Sequence, residues 1–270
     1  MLTDEQKQFY SENGYVVVRG LLTPEDAAGY RDEVHGIIRR LSLVHDINST
    51  WGSAKTVTTK TTALLHCHDV QFQSAAFSRL IVDDKLTEVA ADIIGPNVQL
   101  HHTKVFIKPP EKGSPFPMHQ DAPFFPHDKH SMIAAIIHFD DSTIEKGCVR
   151  VVPGSHNLGL LPHIAEGSYH LSPDEYKVED ALPIEAKAGD VLFFSYLTIH
   201  GSGINESSEA RTTLLVQMRD PEDRPSIDAH RSKGQGMMLR GIDPTCDAGP
   251  SAGSATSMGT MGSTDSMGKM

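Results

Sequence analysis

The chain has 270 residues, a formal net charge of −11 and three cysteines, a length that suits one sizeable domain with a large core. The acidic balance disfavours nucleic acid and anionic membranes, which need basic surfaces, and it weighs mildly against a polyanionic substrate such as a CoA thioester. No apolar run reaches membrane-spanning length, the start Met1-Leu-Thr-Asp-Glu-Gln lacks signal-peptide texture, and Cys67, Cys148 and Cys246 are few and widely spaced, so a cytoplasmic, reducing location is expected.

In chain order, Thr3-Asp-Glu-Gln6 reads as a capping box opening a short helix that Gly14 ends. Tyr15 to Arg19 is a β-rich strand. Thr23-Pro24 supplies an N-cap and a first-turn proline, and Tyr30, Val34, Ile37, Ile38 and Leu41 recur at helical spacing on one face. Residues 42–62 are polar and contain the single tryptophan, Trp51. Leu86, Val89, Ala90, Ile93 and Ile94 form a second amphipathic face that Gly95-Pro96 stops. From Val98 the texture turns to short β runs, at about 98–108, 119–125, 132–140, 148–152, 184–186, 191–199 and 211–218. Helices followed by many short strands predict a mainly β sandwich or barrel of jelly-roll type with N-terminal helices packed outside. Residues 1–243 are expected to form the domain, and the Gly/Ser/Met-rich residues 244–270 a flexible tail.

Four residues in the β region carry chemistry. His119 and Asp121, two apart, follow the Gly/Ser/Pro loop Glu111 to Pro117; on a strand they would share a face. His200 ends the apolar run from Val191, next to Gly201-Ser202-Gly203, and Arg211 opens the next run. Two histidines and one carboxylate are the donor types of a facial Fe(II) site with open positions. An arginine on a neighbouring strand can hold a distal carboxylate by a bidentate pair. A second His-x-Asp, His138-Phe-Asp140, ends another apolar run, and spacing alone leaves both copies open.

From Gly14 to about Pro221 the chain resembles the phytanoyl-CoA dioxygenase family of Fe(II)/2-oxoglutarate oxygenases. The resemblance rests on Asn13-Gly-Tyr-Val-Val-Val-Arg-Gly20, Gly95-Pro-Asn97, Ile107-Lys-Pro-Pro110 leading to His119-Gln-Asp121, Gly147-Cys-Val-Arg-Val-Val-Pro-Gly-Ser-His156, Gly189-Asp-Val-Leu-Phe-Phe194, and His200-Gly-Ser-Gly203 with Arg211. It implies a double-stranded β-helix, the cupin-like form of the jelly roll, and an enzyme that consumes 2-oxoglutarate and O2 to hydroxylate a small molecule, releasing succinate and CO2. It further implies that His119, Asp121 and His200 bind iron, that Arg211 with Ser202 binds the distal carboxylate of 2-oxoglutarate, and that His138/Asp140 has no metal role. Asp121 argues for hydroxylation or related oxidation, because related halogenating enzymes have a small residue there.

Two departures from the family pattern stand out. Ile137 occupies the place of a tryptophan that several members hold near the co-substrate. Lys104 replaces an apolar residue, and either points inward as a second cation for 2-oxoglutarate or outward as a solvated lysine. Phe124 and Phe125 are pocket wall or core. His66 and His68 approach the site or lie at the surface. His101 and His102, adjacent on one strand, face opposite sides, so at most one looks inward. The competing readings are a cupin-like iron dioxygenase without 2-oxoglutarate, which needs no Arg211, and a non-catalytic binder, which needs no metal ligands.

Overall fold

The computed structural model describes residues 1–247; the expected tail falls almost wholly on residues 248–270, outside them. The N-terminal elements follow their caps. In α1 (Asp4–Asn13) the Thr3 hydroxyl accepts from Gln6 N at 3.2 Å and the Gln6 side chain accepts from Thr3 N at 3.0 Å. Gly14 ends it with φ 76°, where a Cβ would also lie 2.4 Å from the His156 ring. After β1 (Tyr15–Val18), α2 (Pro24–Leu41) starts on Thr23 and buries Val34, Ile37 and Ile38. Two further helices follow β2 (Leu65–His68). The sequence reading missed the short α3 (Ala75–Ile81), capped by Ser74, but not α4 (Asp84–Ile94).

The remaining strands are β3 (Val98–Lys108), β4 (Phe116–His119), β5 (Ile133–His138), β6 (Val149–Val151), β7 (Leu182–Ile184), β8 (Val191–Ser195), β9 (His200–Ser202), β10 (Arg211–Arg219) and β11 (Met238–Arg240). They form two antiparallel sheets. The larger runs β1-β8-β5-β10-β3-β11, with β2 also on β3; the smaller runs β4-β9-β6-β7. This is the expected mainly β, cupin-like jelly roll with flanking helices.

Period-two alternation sorts the side chains of the larger sheet. Ile133, Ala135 and Ile137 of β5, with Leu214, Val216 and Met218 of β10, pack against Val34, Ile37, Phe77, Leu80 and Leu86 of the helices. Ala134 and Ile136 face the other way, toward Val149, Val151 and Ile184 of the smaller sheet. The helices therefore cover one face, and the space between the sheets is left for the site. Among the described residues no helix is long and apolar enough to cross a membrane, and Cys67, Cys148 and Cys246 are free.

Asp190, at the turn into β8, ties this frame together. It accepts from Arg19 Nη1 at 2.7 Å, Gly20 N at 2.8 Å and Lys187 N at 2.8 Å. Burial pushes its pKa up, but these donors outweigh burial and hold it below the usual carboxylate value. A depressed folded pKa means the stabilisation is present above the unfolded pKa and is lost as pH falls through the folded value. Asp190→Ala is expected to cost about 2 kcal/mol at pH 7. In denaturant titrations the gap to wild type should close once the carboxylate is protonated.

Candidate metal centre and co-substrate clamp

The smaller sheet sets two of the candidate ligands side by side. His119 ends β4, His200 begins β9, and the register pairs them directly; their ring centroids are 4.2 Å apart. His119 therefore closes a strand, where the sequence suggested that it opens one. Asp121 is not on a strand at all. It adopts φ −74°, ψ −27° at the head of the 3₁₀ turn Ala122–Phe124, and that turn, rather than strand alternation, returns its carboxylate to the histidines. Asp121 Oδ1 lies 3.7 Å from His119 Nε2 and 3.8 Å from His200 Nε2. Such separations are too long for hydrogen bonds and leave room for one ion among the three donors, which would draw in to about 3 Å apart around it.

The surroundings fix which atoms point inward. The Nδ1 atoms of His119 and His200 lie 2.8 and 3.0 Å from the carbonyls of Pro117 and Thr198. With Nδ1–H donating there, each Nε2 lone pair faces Asp121. Asp121 Oδ2 accepts from Gln217 Nε2 at 2.6 Å, leaving Oδ1 toward the histidines. Gln120, between the ligands, is pinned by donating to Gly159 O and Leu197 O. Burial lowers His119 to about 3 and His200 to about 4, so both are neutral at pH 7 and able to ligate. The donor set and its orientation fit an Fe(II) ion.

His138 and Asp140 are committed elsewhere. Asp140 Oδ1 pairs with Arg31 Nε at 2.7 Å and Oδ2 accepts from Thr212 N at 2.8 Å, while His138 is buried against the Asp190 backbone.

The clamp sits on the facing sheet. β10 pairs with β3 and β5, whereas β9 pairs with β4 and β6. His200 and Arg211 therefore oppose one another across the sandwich and are not on adjacent strands, as the short loop between them had suggested. Arg211 is buried; its Nη1 donates to Gly147 O, and its Nε has no hydrogen-bond partner among the described residues. Burial brings its pKa down to about 10, so the guanidinium stays charged at pH 7. Beside it in register stands Lys108, fully buried, whose Nζ donates to Ser202 Oγ at 2.7 Å and Gly203 O at 2.5 Å. Burial first, then Arg211, holds Lys108 well below the usual lysine value. The Arg211 guanidinium and Ser202 on one cavity, with the Lys108 amine behind Ser202, fit the distal carboxylate of 2-oxoglutarate.

Sequence reasoning missed Lys108, although a signal existed: it shares strand parity with Lys104 and Phe106. Lys104 does point inward, but it faces Leu215, four residues from the Lys108–Arg211 pair, so it is not beside the clamp. Ile137 turns toward the helices, and Ile136 is the β5 residue on the cavity.

Gly147 holds the clamp's shared acceptor. Its φ is 65°, and a Cβ there would meet Gly203 O at 2.4 Å. Gly147→Ala is expected to destabilise by about 2 kcal/mol and to weaken 2-oxoglutarate binding by turning the carbonyl away, which calorimetry with paired melting curves will separate.

A cavity of about 180 Å³ joins the ligands to the clamp. Phe124 and Phe125 both line it, as does Trp51, whose indole centroid is 4.9 Å from the His119 ring. Trp51 comes from the polar 42–62 segment, and Tyr169, from the stretch between β6 and β7, packs 5.1 Å from Phe124 behind the wall. His66 and His68 pair in register with Phe106 and Lys104 but are not part of the wall. Of His101 and His102 only His102 lines the cavity, as expected, but the two do not face opposite sides. The register passes from Gln217↔His102 to Met218↔Leu100, so His101 is an extra residue in a bulge. The two rings consequently meet, with Nδ1 atoms 2.7 Å apart, and His230 joins them.

The family model for phytanoyl-CoA dioxygenase matches residues 10–213. Among curated proteins, the chain is 30% identical over 240 residues to the peroxisomal phytanoyl-CoA dioxygenase of Bos taurus, covering 82% of this chain and 69% of that protein. It is 27% identical over 220 residues to a probable alpha-ketoglutarate-dependent hypophosphite dioxygenase of Stutzerimonas stutzeri, covering 78% and 77%. Among solved structures, the epimerase SnoN in complex with Fe3+, alpha ketoglutarate and nogalamycin RO superposes with a TM-score of 0.68 at 24% identity, covering 88% of this chain and 98% of that one.

Proposed function

The chain belongs to the phytanoyl-CoA dioxygenase family of Fe(II)/2-oxoglutarate-dependent dioxygenases, and we propose that its inter-sheet cavity hydroxylates, or otherwise oxidises, an unactivated C–H bond of a small organic substrate. The observation that carries the reading is the convergence of His119, Asp121 and His200 opposite a buried arginine with a free Nε in one cavity. In this reading His119, Asp121 and His200 hold iron, and Arg211 with Ser202 holds the distal carboxylate of 2-oxoglutarate. Bound there, iron supplies O2 activation coupled to oxidative decarboxylation of 2-oxoglutarate to succinate and CO2. The protein's part is positional. The Pro117 and Thr198 carbonyls and Gln217 aim the ligands, Lys108 holds Ser202 by donating to its Oγ, and Trp51, Phe116 and Phe124 keep water from the ion. A cupin-like dioxygenase without 2-oxoglutarate has no use for Arg211, and a non-catalytic binder none for three converging ligands. We place the enzyme in the cytoplasm on its free cysteines.

Anaerobic addition of Fe(II) and 2-oxoglutarate, followed by visible absorbance, tests this. A metal-to-ligand charge-transfer band that is absent in His119→Ala and weakened in Arg211→Ala is the expected result. Bound iron without a band on adding 2-oxoglutarate would sink the co-substrate assignment, and no iron binding would sink the enzyme.

A further inference from the structure

The cavity carries more positive charge than iron and 2-oxoglutarate use. The charged side chains on its wall are Asp121, Lys104 and Arg211. A divalent ion and a dianionic co-substrate cancel, so one carboxylate stands against two cations and one positive charge is left over, without counting Lys108. Arg211 is taken by the distal carboxylate in the reading above. Lys104 is the unclaimed group. Its Nζ lies 4.9 Å over the Phe106 ring, and among the described residues it makes no ion pair within 4.0 Å; the only opposite charge it feels appreciably is Asp121. It sits two same-face pairs, four residues, along β3–β10 from the clamp, about 13 Å along the strand. The next step is His102↔Gln217, the level of the Asp121 carboxylate. Lys104 therefore stands across from the iron ligands and away from the end that holds the distal carboxylate.

Its neighbours suit an anion. His102 and His230 line the same end of the cavity, and burial keeps both below the usual histidine value, hence neutral donors at pH 7. The rest of that end is aromatic, from Phe106 under Lys104 and from Phe125, against His102 and His230, with Phe124 next to it. A half-buried ammonium facing an aromatic cavity without a carboxylate partner is better stabilised when a ligand pairs with it.

We propose that Lys104, with His102 and His230, forms the substrate's anion subsite, so that the substrate is a small molecule with an apolar or aromatic body and one carboxylate-type negative charge. The proposal rests on the 2-oxoglutarate assignment of Arg211.

The test uses the full-length protein with Fe(II) and saturating 2-oxoglutarate under anaerobic conditions, with the charge-transfer band as readout. The probes are phenylacetate, phenylacetamide and phenethylamine, which keep one ring and vary the charge. Phenylacetate is expected to perturb the band saturably, the amide at least about ten-fold more weakly and the amine not at all. Lys104→Met should weaken phenylacetate by about 30-fold while half-saturation by 2-oxoglutarate stays within about three-fold, and Lys104→Arg should retain most of the affinity. Equal response to acid and amide, including no response to either, overturns the proposal. So does loss of the band on adding phenylacetate, since the probe would then be displacing the co-substrate. A Lys104→Met protein whose 2-oxoglutarate affinity falls ten-fold or more would assign Lys104 to the co-substrate instead. Absence of the band before any probe is added is a different failure, that of the parent reading.

Discussion

Fe(II) or Ni(II) at about a hundred times its dissociation constant is expected to raise the melting temperature of the wild-type protein by about 5–10 °C, and that of Asp121→Ala not at all. The estimate follows from mass action: binding to the folded state alone adds about 2.7 kcal/mol at that ratio, and a domain of this size gains about 2–4 °C per kcal/mol. Asp121 is decisive because its Oδ1 is the atom that both Nε2 atoms face, at 3.7 and 3.8 Å. Removing it leaves two histidines with nothing to close the face. The metal-free variant should melt close to wild type, because burial already pushes the Asp121 pKa up and makes the carboxylate an expensive resident. Gln217→Leu probes the layer behind. It frees Oδ2 of its 2.6 Å hydrogen bond and is expected to weaken metal binding by about 10–100-fold without abolishing it. A large loss of metal-free stability in Asp121→Ala would show instead that the carboxylate is part of the frame.

The legible parts of the chain were those governed by local periodicity. The Thr3 and Thr23 caps, the apolar face of α2 and the full span of β3 follow from spacing, since each depends on neighbours a few residues away. The identity of the metal ligands was also legible, from residue type and order. Their geometry was not. His119 and Asp121 converge through a 3₁₀ turn, which period-two reasoning cannot generate. The loop between His200 and Arg211 suggested neighbouring strands, but the chain crosses from one sheet to the other there, a choice made by long-range pairing. The bulge at His101 reverses the parity of everything before it on β3 and brings together two side chains that alternation separates. Lys108 was overlooked because a lysine before Pro-Pro looks like the solvated end of a strand. Only its register with Arg211 reveals a buried lysine.

That register makes Arg211 the residue whose replacement should move two measurements in opposite directions. Without a ligand the guanidinium is buried with, among the described residues, one backbone acceptor, Gly147 O, and an Nε that has no partner. Lys108 stands beside it in register, and Asp140 offers only distant compensation. Replacing such a group by an apolar residue of similar reach is expected to leave the metal-free protein as stable as wild type or up to about 2 kcal/mol more stable. The co-substrate loses its bidentate partner, so Arg211→Leu should weaken 2-oxoglutarate by about 100-fold. The loss should fall on KM more than on kcat, because the distal carboxylate is held equally before and during the reaction. Stability gained while affinity is lost is the signature of a group kept for its ligand. An Arg211→Leu protein that melts well below wild type would make the guanidinium structural, a brace for the Gly147 turn. One that melts higher yet binds 2-oxoglutarate normally would move the clamp to Lys108, whose ammonium already reaches Ser202.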